Sequence, residues 1–214
     1  MAMLTETSDL TVADLFEFFG PIPLKRIRHD PAPGTATEED VIAIHAHEKR
    51  LYELIDGILV EKTVGMQESY LAVLISSLLF NYVQSHGLGI VLGADGMARL
   101  FSGRIRIPDV SFISWDRLPD RKVPNEAFVN VGLDFVVEVL SSSNTDKEMN
   151  DKLKDYFQAG VRLVWYVDPA KETVQVFESL TSVETLRKGQ ILDGGTVLPG
   201  FTLAVDTIFS DLVK

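Results

Sequence analysis

Three acidic residues in this 214-residue chain stand where the local pattern calls for something else. Glu138 interrupts Phe135-Val136-Val137-Glu138-Val139-Leu140, a run whose other members are all apolar. A lone carboxylate in such a strand is costly unless it is paired with a cation or bound to a metal. Asp109 follows Pro108 in Arg104-Ile105-Arg106-Ile107-Pro108-Asp109-Val110. Proline removes a ladder donor, so a strand here is irregular or lies at an edge. Glu53 falls within Tyr52-Glu53-Leu54-Ile55-Asp56-Gly57-Ile58-Leu59-Val60-Glu61, which has the pattern of a hairpin. Brought together, the three carboxylates would repel, and a divalent cation is the usual remedy. An all-oxygen set in a chain without cysteine points to magnesium or manganese rather than zinc. Each residue also has a plainer reading. Glu138 could pair with a buried Arg or Lys, Asp109 could be a turn aspartate, and Glu53 could be a hairpin acid.

One lysine has a spacing that suits the same chemistry. A helix expected over Lys147 to Ala159 turns Met149, Leu153, Tyr156 and Phe157 inward. At about 100° per residue, Lys152 lies at the edge of that stripe, roughly 60° from Met149, while Lys147 and Lys154 point away. Its ammonium could reach the end of the Glu138 strand and meet charge developing on a phosphate. The plainer reading is a lysine snorkelling from the stripe edge into solvent.

The elements that must position these groups follow from periodicity. Leu10 to Phe19 predicts a short helix with Thr11 as its N-cap, running into Pro21, Pro23, Pro31, Pro33 and Gly34, a stretch expected to be loop or arm. Residues 1–36 are therefore expected to be an N-terminal helix and arm, and 37–214 one domain. Thr37-Glu38-Glu39-Asp40 opens a second helix. The Asp56-Gly57 pair suits a two-residue type I′ turn, which would set Ile55 against Ile58 and Glu53 against Val60, with Leu51 on the same side as Glu53. Ser69 to His86 predicts a helix with Leu71, Leu74, Ile75, Leu78, Leu79 and Tyr82 inward and Gly87 as its C-cap. Strands are expected at Ile90–Leu92, Met97–Phe101, Ile105–Ser114, Phe135–Leu140, Val161–Val167, Thr173–Glu178 and Glu184–Lys188. Phe135–Leu140 has the profile of a central strand buried on both faces. Pro124 to Gly132 reads as a connection and Gly194-Gly195 as a turn. The order predicts an α/β fold, a mixed sheet with flanking helices.

Composition narrows the classes. At 46% hydrophobic and 24% charged the chain folds, and its length suits one core. The absence of cysteine excludes disulfides, zinc-thiolate sites and thiol nucleophiles. Residues 1–9 lack a basic segment followed by an apolar one, so no signal peptide is predicted; apolar runs are too short to span a bilayer, and the cytoplasm is the expected location. The net charge of −11 is the wrong sign for generic nucleic-acid affinity. His29, His45, His47 and His86 show no metal-ligand spacing, Arg104 and Arg106 suit a solvated strand face, Trp115 and Trp165 suit packing, and Asp168-Pro169 suits a strand-ending turn.

Taken together, Tyr52-Glu53-Leu54-Ile55-Asp56-Gly57, Pro108-Asp109-Val110, Val137-Glu138-Val139-Leu140-Ser141, Lys152-Leu153 with Tyr156 and Ala159-Gly160-Val161, and Trp165-Tyr166-Val167-Asp168-Pro169 resemble the putative restriction-endonuclease family of the PD-(D/E)XK nuclease superfamily. The resemblance covers about residues 37 to 210. It implies a restriction-endonuclease-like core and hydrolysis of phosphodiester bonds with Mg2+ or Mn2+, DNA being favoured over RNA. It also implies Asp109 and Glu138 as metal ligands, Glu53 assisting from the hairpin, and Lys152 in the lysine role. Two departures stand out. Leu140 occupies the position two after the acid where the superfamily usually has lysine, and Gln67 and Glu68 stand where many members have a histidine. A homodimer would suit cutting of both strands. The reading from another class is a catalytically silent member of the fold, an assembly module whose acidic surface meets a protein.

Overall fold

The computed structural model describes residues 10–48, 50–128 and 130–212; residues 1–9, on which the signal-peptide expectation falls, lie outside them. Helices α1 (Val12–Phe19) and α2 (Glu38–His47) each begin with a capping box, Thr11 with Asp14 and Thr37 with Asp40. Strands β1 (Tyr52–Ile55) and β2 (Ile58–Glu61) form the expected hairpin, pairing Ile55 with Ile58 and Glu53 with Val60. Asp56 and Gly57 take φ of 48° and 78°, the left-handed pair that a type I′ turn needs. A Cβ on Gly57 would stand 2.5 Å from the Gly34 carbonyl oxygen, so this tip is closed to side chains.

Helix α3 (Met66–His86) follows, ending as expected on left-handed Gly87. It starts three residues earlier than its apolar spacing predicts. Its buried stripe is Leu71, Ala72, Ile75, Leu79 and Val83, with Leu74, Leu78 and Tyr82 half-buried along one margin. Strands β3 (Gly89–Leu92), β4 (Ala98–Phe101), β5 (Arg104–Arg106), β6 (Val110–Ser114) and β7 (Phe135–Val139) come next. Then come α4 (Asp146–Gln158), β8 (Leu163–Asp168), β9 (Thr173–Phe177), β10 (Val183–Arg187), β11 (Ile191–Asp193), β12 (Thr202–Ala204) and α5 (Val205–Phe209).

The strand expected over Ile105–Ser114 is two strands. Ile107-Pro108-Asp109 breaks it, and the halves join different sheets: β5 enters a four-stranded sheet ordered β2-β1-β5-β4, and β6 a six-stranded sheet ordered β10-β9-β8-β7-β6-β3. Of the two outcomes proline allowed, irregularity is the one that occurs, since β6 is interior. Asp109 is thereby placed where one sheet hands over to the other. A third sheet, β11 with β12, was not predicted.

Strand β7 is central, antiparallel to β6 and parallel to β8 through the α4 crossover. Phe135, Val137 and Val139 face α3 and α5 in one apolar cluster. Val136 faces α4 with Met149, Leu153, Tyr156, Val164 and Tyr166 in another. By the two-residue alternation Glu138 shares the α4 face with Val136. The stretch from Pro21 to Gly34, expected to be loop or arm, contributes core residues: Ile22 and Ile27 are buried with Leu15 and Phe19 of α1 against Ile55, Ile58 and Val60. Leu51 departs from its expected side, lying half-buried against the cluster around α2. The mixed sheets and flanking helices make the expected α/β arrangement.

Candidate active site

Four elements deliver the predicted site residues to one place. Glu53 comes from β1, Asp109 from the β5–β6 handover, Glu138 from β7 and Lys152 from α4; all four are buried and all line one water-sized cavity of about 20 Å³ together with Arg26, Lys62 and Glu68. Because Val110 pairs with Val137, Asp109 comes opposite Glu138 by extension of the register. Asp109 Oδ2 accepts the backbone N–H of Val139 at 2.7 Å.

Lys152 stands between two of the acids. Its Nζ is 3.1 Å from Glu53 Oε1 and 3.2 Å from Glu138 Oε1. Burial alone would lower the ammonium's pKa, but Glu138 and Glu53 outweigh it and raise the value, so Lys152 is a cation at neutral pH. Burial likewise favours a neutral Glu53, yet Lys152 and Arg106 hold its carboxyl at about 2. Glu138 moves the other way: burial and the neighbouring Asp109 raise it despite Lys152. The Tyr156 hydroxyl donates to Glu138 Oε1, and burial beside that carboxylate raises the phenol's own pKa well above its usual value.

Two further cations, Lys62 and Arg106, bind the site's acids, and neither was expected there. Lys62, just after β2, places its Nζ 2.9 Å from Asp109 Oδ1 and also donates to the carbonyls of Ile107 at 2.7 Å and Ala94 at 3.1 Å. Arg106 corrects the sequence reading: it is not on a solvated face but buried, with Nη1 2.9 Å from Glu53 Oε2 and Nη2 2.5 Å from Asp155 Oδ2. Arg104 is less buried and pairs with Asp56. Strand alternation could have given the side on which Lys62 lies but not its partner, and only closeness to the break at Pro108 singles out Arg106. Lys62 lies two residues beyond Val60, hence on Glu53's side of the hairpin, and Arg106 is the cation nearest in sequence to the Pro-Asp break.

Residues 39–206 match the family model Uma2, described as "Putative restriction endonuclease". The chain belongs to that family. A crystal structure described as a putative nuclease belonging to DUF820 from Anabaena variabilis resembles this Uma2 chain with a TM-score of 0.67 at 17% identity, over 76% of this chain and 92% of that one. That likeness shows the restriction-endonuclease-like fold. Comparison with curated proteins finds no match to the chain.

The donor chemistry of this Uma2 site suits a hard cation. Asp109 and Glu138 offer carboxylate oxygens to one cavity, and Glu138 Oε2 has only a 3.4 Å contact to Lys152 among the described residues. The buried acids are closely paired, Asp109 with Lys62, Glu53 with Arg106 and Lys152, Glu138 with Lys152, Asp155 with Arg106 and Arg104, and Glu148 with Arg26. Glu53 and Asp109 are engaged at both oxygens: Glu53 Oε1 takes the Ile107 N–H at 3.1 Å as well as Lys152 and Oε2 takes Arg106, while Asp109 takes Lys62 and the Val139 N–H. No group of three or more His, Cys, Asp or Glu side chains poised to hold a metal is assembled among the described residues. His29, His45, His47 and His86 are exposed. Trp165 is fully buried and Trp115 half-buried in packing, and Asp168 caps its turn by accepting the Lys171 N–H at 3.0 Å. No described helix is long and apolar enough to cross a membrane.

Proposed function

We propose that this chain is a metal-dependent endonuclease that hydrolyses phosphodiester bonds in DNA. The observation that carries the reading is the convergence of Asp109, Glu138 and Lys152, from three elements far apart in sequence, on one small buried cavity. Asp109 and Glu138 would hold a Mg2+ or Mn2+ ion. When bound, such an ion supplies Lewis acidity and neutralises phosphate charge.

The chain's own residues do the rest. Lys152, fixed by Glu53 and Glu138, presents an ammonium to negative charge that develops on the phosphate, an electrostatic contribution made without reorganisation. Glu53, expected to help hold the ion from the hairpin, also fixes Lys152: its oxygens bind Lys152, Ile107 and Arg106, as those of Asp109 bind Lys62 and the Val139 N–H. Tyr156 orients Glu138, and Lys62 orients Asp109. Residues 37–214 form the catalytic domain in this reading, a cytoplasmic location goes with it, and two copies would serve to cut both strands of a duplex.

A specific observation favours a second reading. The net charge of −11 opposes a polyanionic substrate, which suits a silent member of the fold acting through a protein partner. Nicking of supercoiled plasmid separates the two. Activity that requires Mg2+ or Mn2+, stops with a chelator and is absent from a folded Glu138→Ala variant supports the enzyme. Manganese binding without cleavage of any DNA or RNA substrate supports the silent module.

A further inference from the structure

Helix α3 has a second apolar stripe, and it faces away from the protein. Met66, Tyr70, Val73 and Phe80 are 91%, 40%, 62% and 50% exposed. No other described helix exposes more than two large hydrophobic residues. With Ser77 they fall at spacings of four, three, four and three, the seam of a helix that packs lengthwise on another helix. At about 100° per residue the five positions span roughly 80° of the surface, diametrically opposite the buried stripe of Leu71, Ile75 and Leu79. Ser77, near the middle, bends its hydroxyl back to the Val73 carbonyl at 2.8 Å and keeps the seam low enough for close approach.

We propose that this seam is the contact between two copies of the chain, α3 packing against α3. Charge selects the occupant. The chain carries a net −11, so two copies repel over most of their surfaces, yet between Met66 and His86 the only carboxylate is Glu68, and it faces the catalytic cavity rather than the seam. The helix itself thus presents an uncharged face on which like-charged copies can meet, with one carboxylate at its edge, Asp211, which accepts the Tyr70 hydroxyl. Area agrees: the four exposed side chains present roughly 500 Å² per copy, judged from the sizes of such side chains. Exposed Ser69, Ser77, Asn81 and Gln84 beside them bring the face toward the ~800 Å² per partner of a standard interface. A single stripe meeting its own copy is also the self-complementary patch that a two-fold dimer requires. The inference deepens the dimeric form of the proposed nuclease, but it is read from mass and not from cleavage, so either can fail without the other.

The test is the mass of the full chain in solution, by light scattering and sedimentation at micromolar concentration. A mass twice the 23.8 kDa of one chain is expected, falling to half in Val73→Glu with the circular dichroism spectrum retained. Should that variant fail to fold, cysteine replaces it as the probe, since the chain has none of its own. Val73 lies at the centre of the seam and meets its counterpart in either helix direction. Val73→Cys should give a disulfide-linked dimer on mild oxidation, while exposed Val123→Cys should not. A wild-type chain that stays monomeric overturns the proposal, as does a folded Val73→Glu dimer or a Val73→Cys chain that links no better than Val123→Cys.

Discussion

Asp109 is bonded to Val139, the residue that follows Glu138: its Oδ2 accepts the Val139 N–H at 2.7 Å. The strand carrying one expected ligand is thus tied to the carboxylate of the other. Structure and charge can be separated at this position. Asp109→Asn keeps an oxygen for Val139 but loses the charge, whereas Asp109→Ala leaves a buried N–H without its acceptor and the Lys62 ammonium with only the Ile107 and Ala94 carbonyls. Urea unfolding should show Asp109→Ala destabilised by about 2 kcal/mol, the cost of stranded buried groups, and Asp109→Asn by less. Equal losses would mean that the bond to Val139 contributes little. In the proposed enzyme both variants lose cleavage.

Arg106 is the cation on which the buried network turns. It sits between Glu53 and Asp155, so Arg106→Met leaves two buried carboxylates short of a partner. Losing one member of such a cluster costs about 3–5 kcal/mol. A second change that removes one of the stranded charges should recover part of this. The double variant Arg106→Met, Glu53→Gln is expected to be more stable than the two single losses predict by addition, and denaturation of the four proteins in the cycle measures the difference.

How far the sequence carries toward this site depends on the kind of signal. Local signals were legible. The Asp56-Gly57 turn, the Thr11 and Thr37 caps, Gly87, and the Glu138 strand all depend on residues within a few positions of one another, and the structure has each as expected. Glu138 stood out because a charge among apolar residues must answer to something, Asp109 because it follows the proline that breaks its strand, and Lys152 because of its angle on the helix. What those charges answer to was not legible. Arg106 looks solvated because Arg104 alternates with it, and only the break at Pro108, which sends β5 and β6 into different sheets, carries it inward. Lys62 meets Asp109 across 47 positions of chain, a contact that no local pattern reports. The outer stripe of α3 was hidden for a different reason: with apolar residues on both sides, the inner stripe cannot be told from the outer until its packing is known.

Asp134 gives the fold a dependence on pH away from the site. Its carboxylate accepts the Ser114 N–H at 2.8 Å and pairs with Arg117 and Arg162. Burial would raise its pKa, but the Ser114 and Arg117 bonds prevail and lower it below 3.8. A depressed folded value means that the stabilisation is complete above the unfolded pKa of about 3.9 and is lost as pH falls through the folded one. Asp134→Asn should therefore be less stable than the wild type at neutral pH, with the gap narrowing as the solution is acidified below about pH 4. Thermal melts across that range measure it, and a gap that stays constant would show that Asp134 titrates alike in both states.

Lys152 should affect cleavage far more than any surface lysine. Lys152→Met removes the ammonium between Glu53 and Glu138, and in the proposed enzyme the cleavage rate should fall by about 10²–10³, the range for losing one preorganised electrostatic partner. Lys154→Met, on the exposed side of the same helix, should cleave normally. Stability alone cannot mimic this result if both proteins are assayed well below their melting temperatures.

Tyr156 distinguishes a residue that orients a ligand from one that merely packs. Its hydroxyl donates to Glu138 while its ring fills the cluster under α4, so Tyr156→Phe removes the bond and keeps the ring. Stability should fall by only about 1 kcal/mol, the net worth of one hydrogen bond. If Glu138 holds the ion, losing the group that orients it should weaken Mn2+ binding by about 10–100-fold, which calorimetric titration can measure without any cleavage assay. Tyr166 provides the contrast. It is also buried beneath α4, but its hydroxyl donates to the Met149 carbonyl at 2.7 Å and not to a site carboxylate, so Tyr166→Phe should leave the affinity unchanged. Equal affinities in the wild type and both variants would remove Glu138 from the ion's ligands, because a carboxylate that binds a cation cannot lose its orienting bond without consequence.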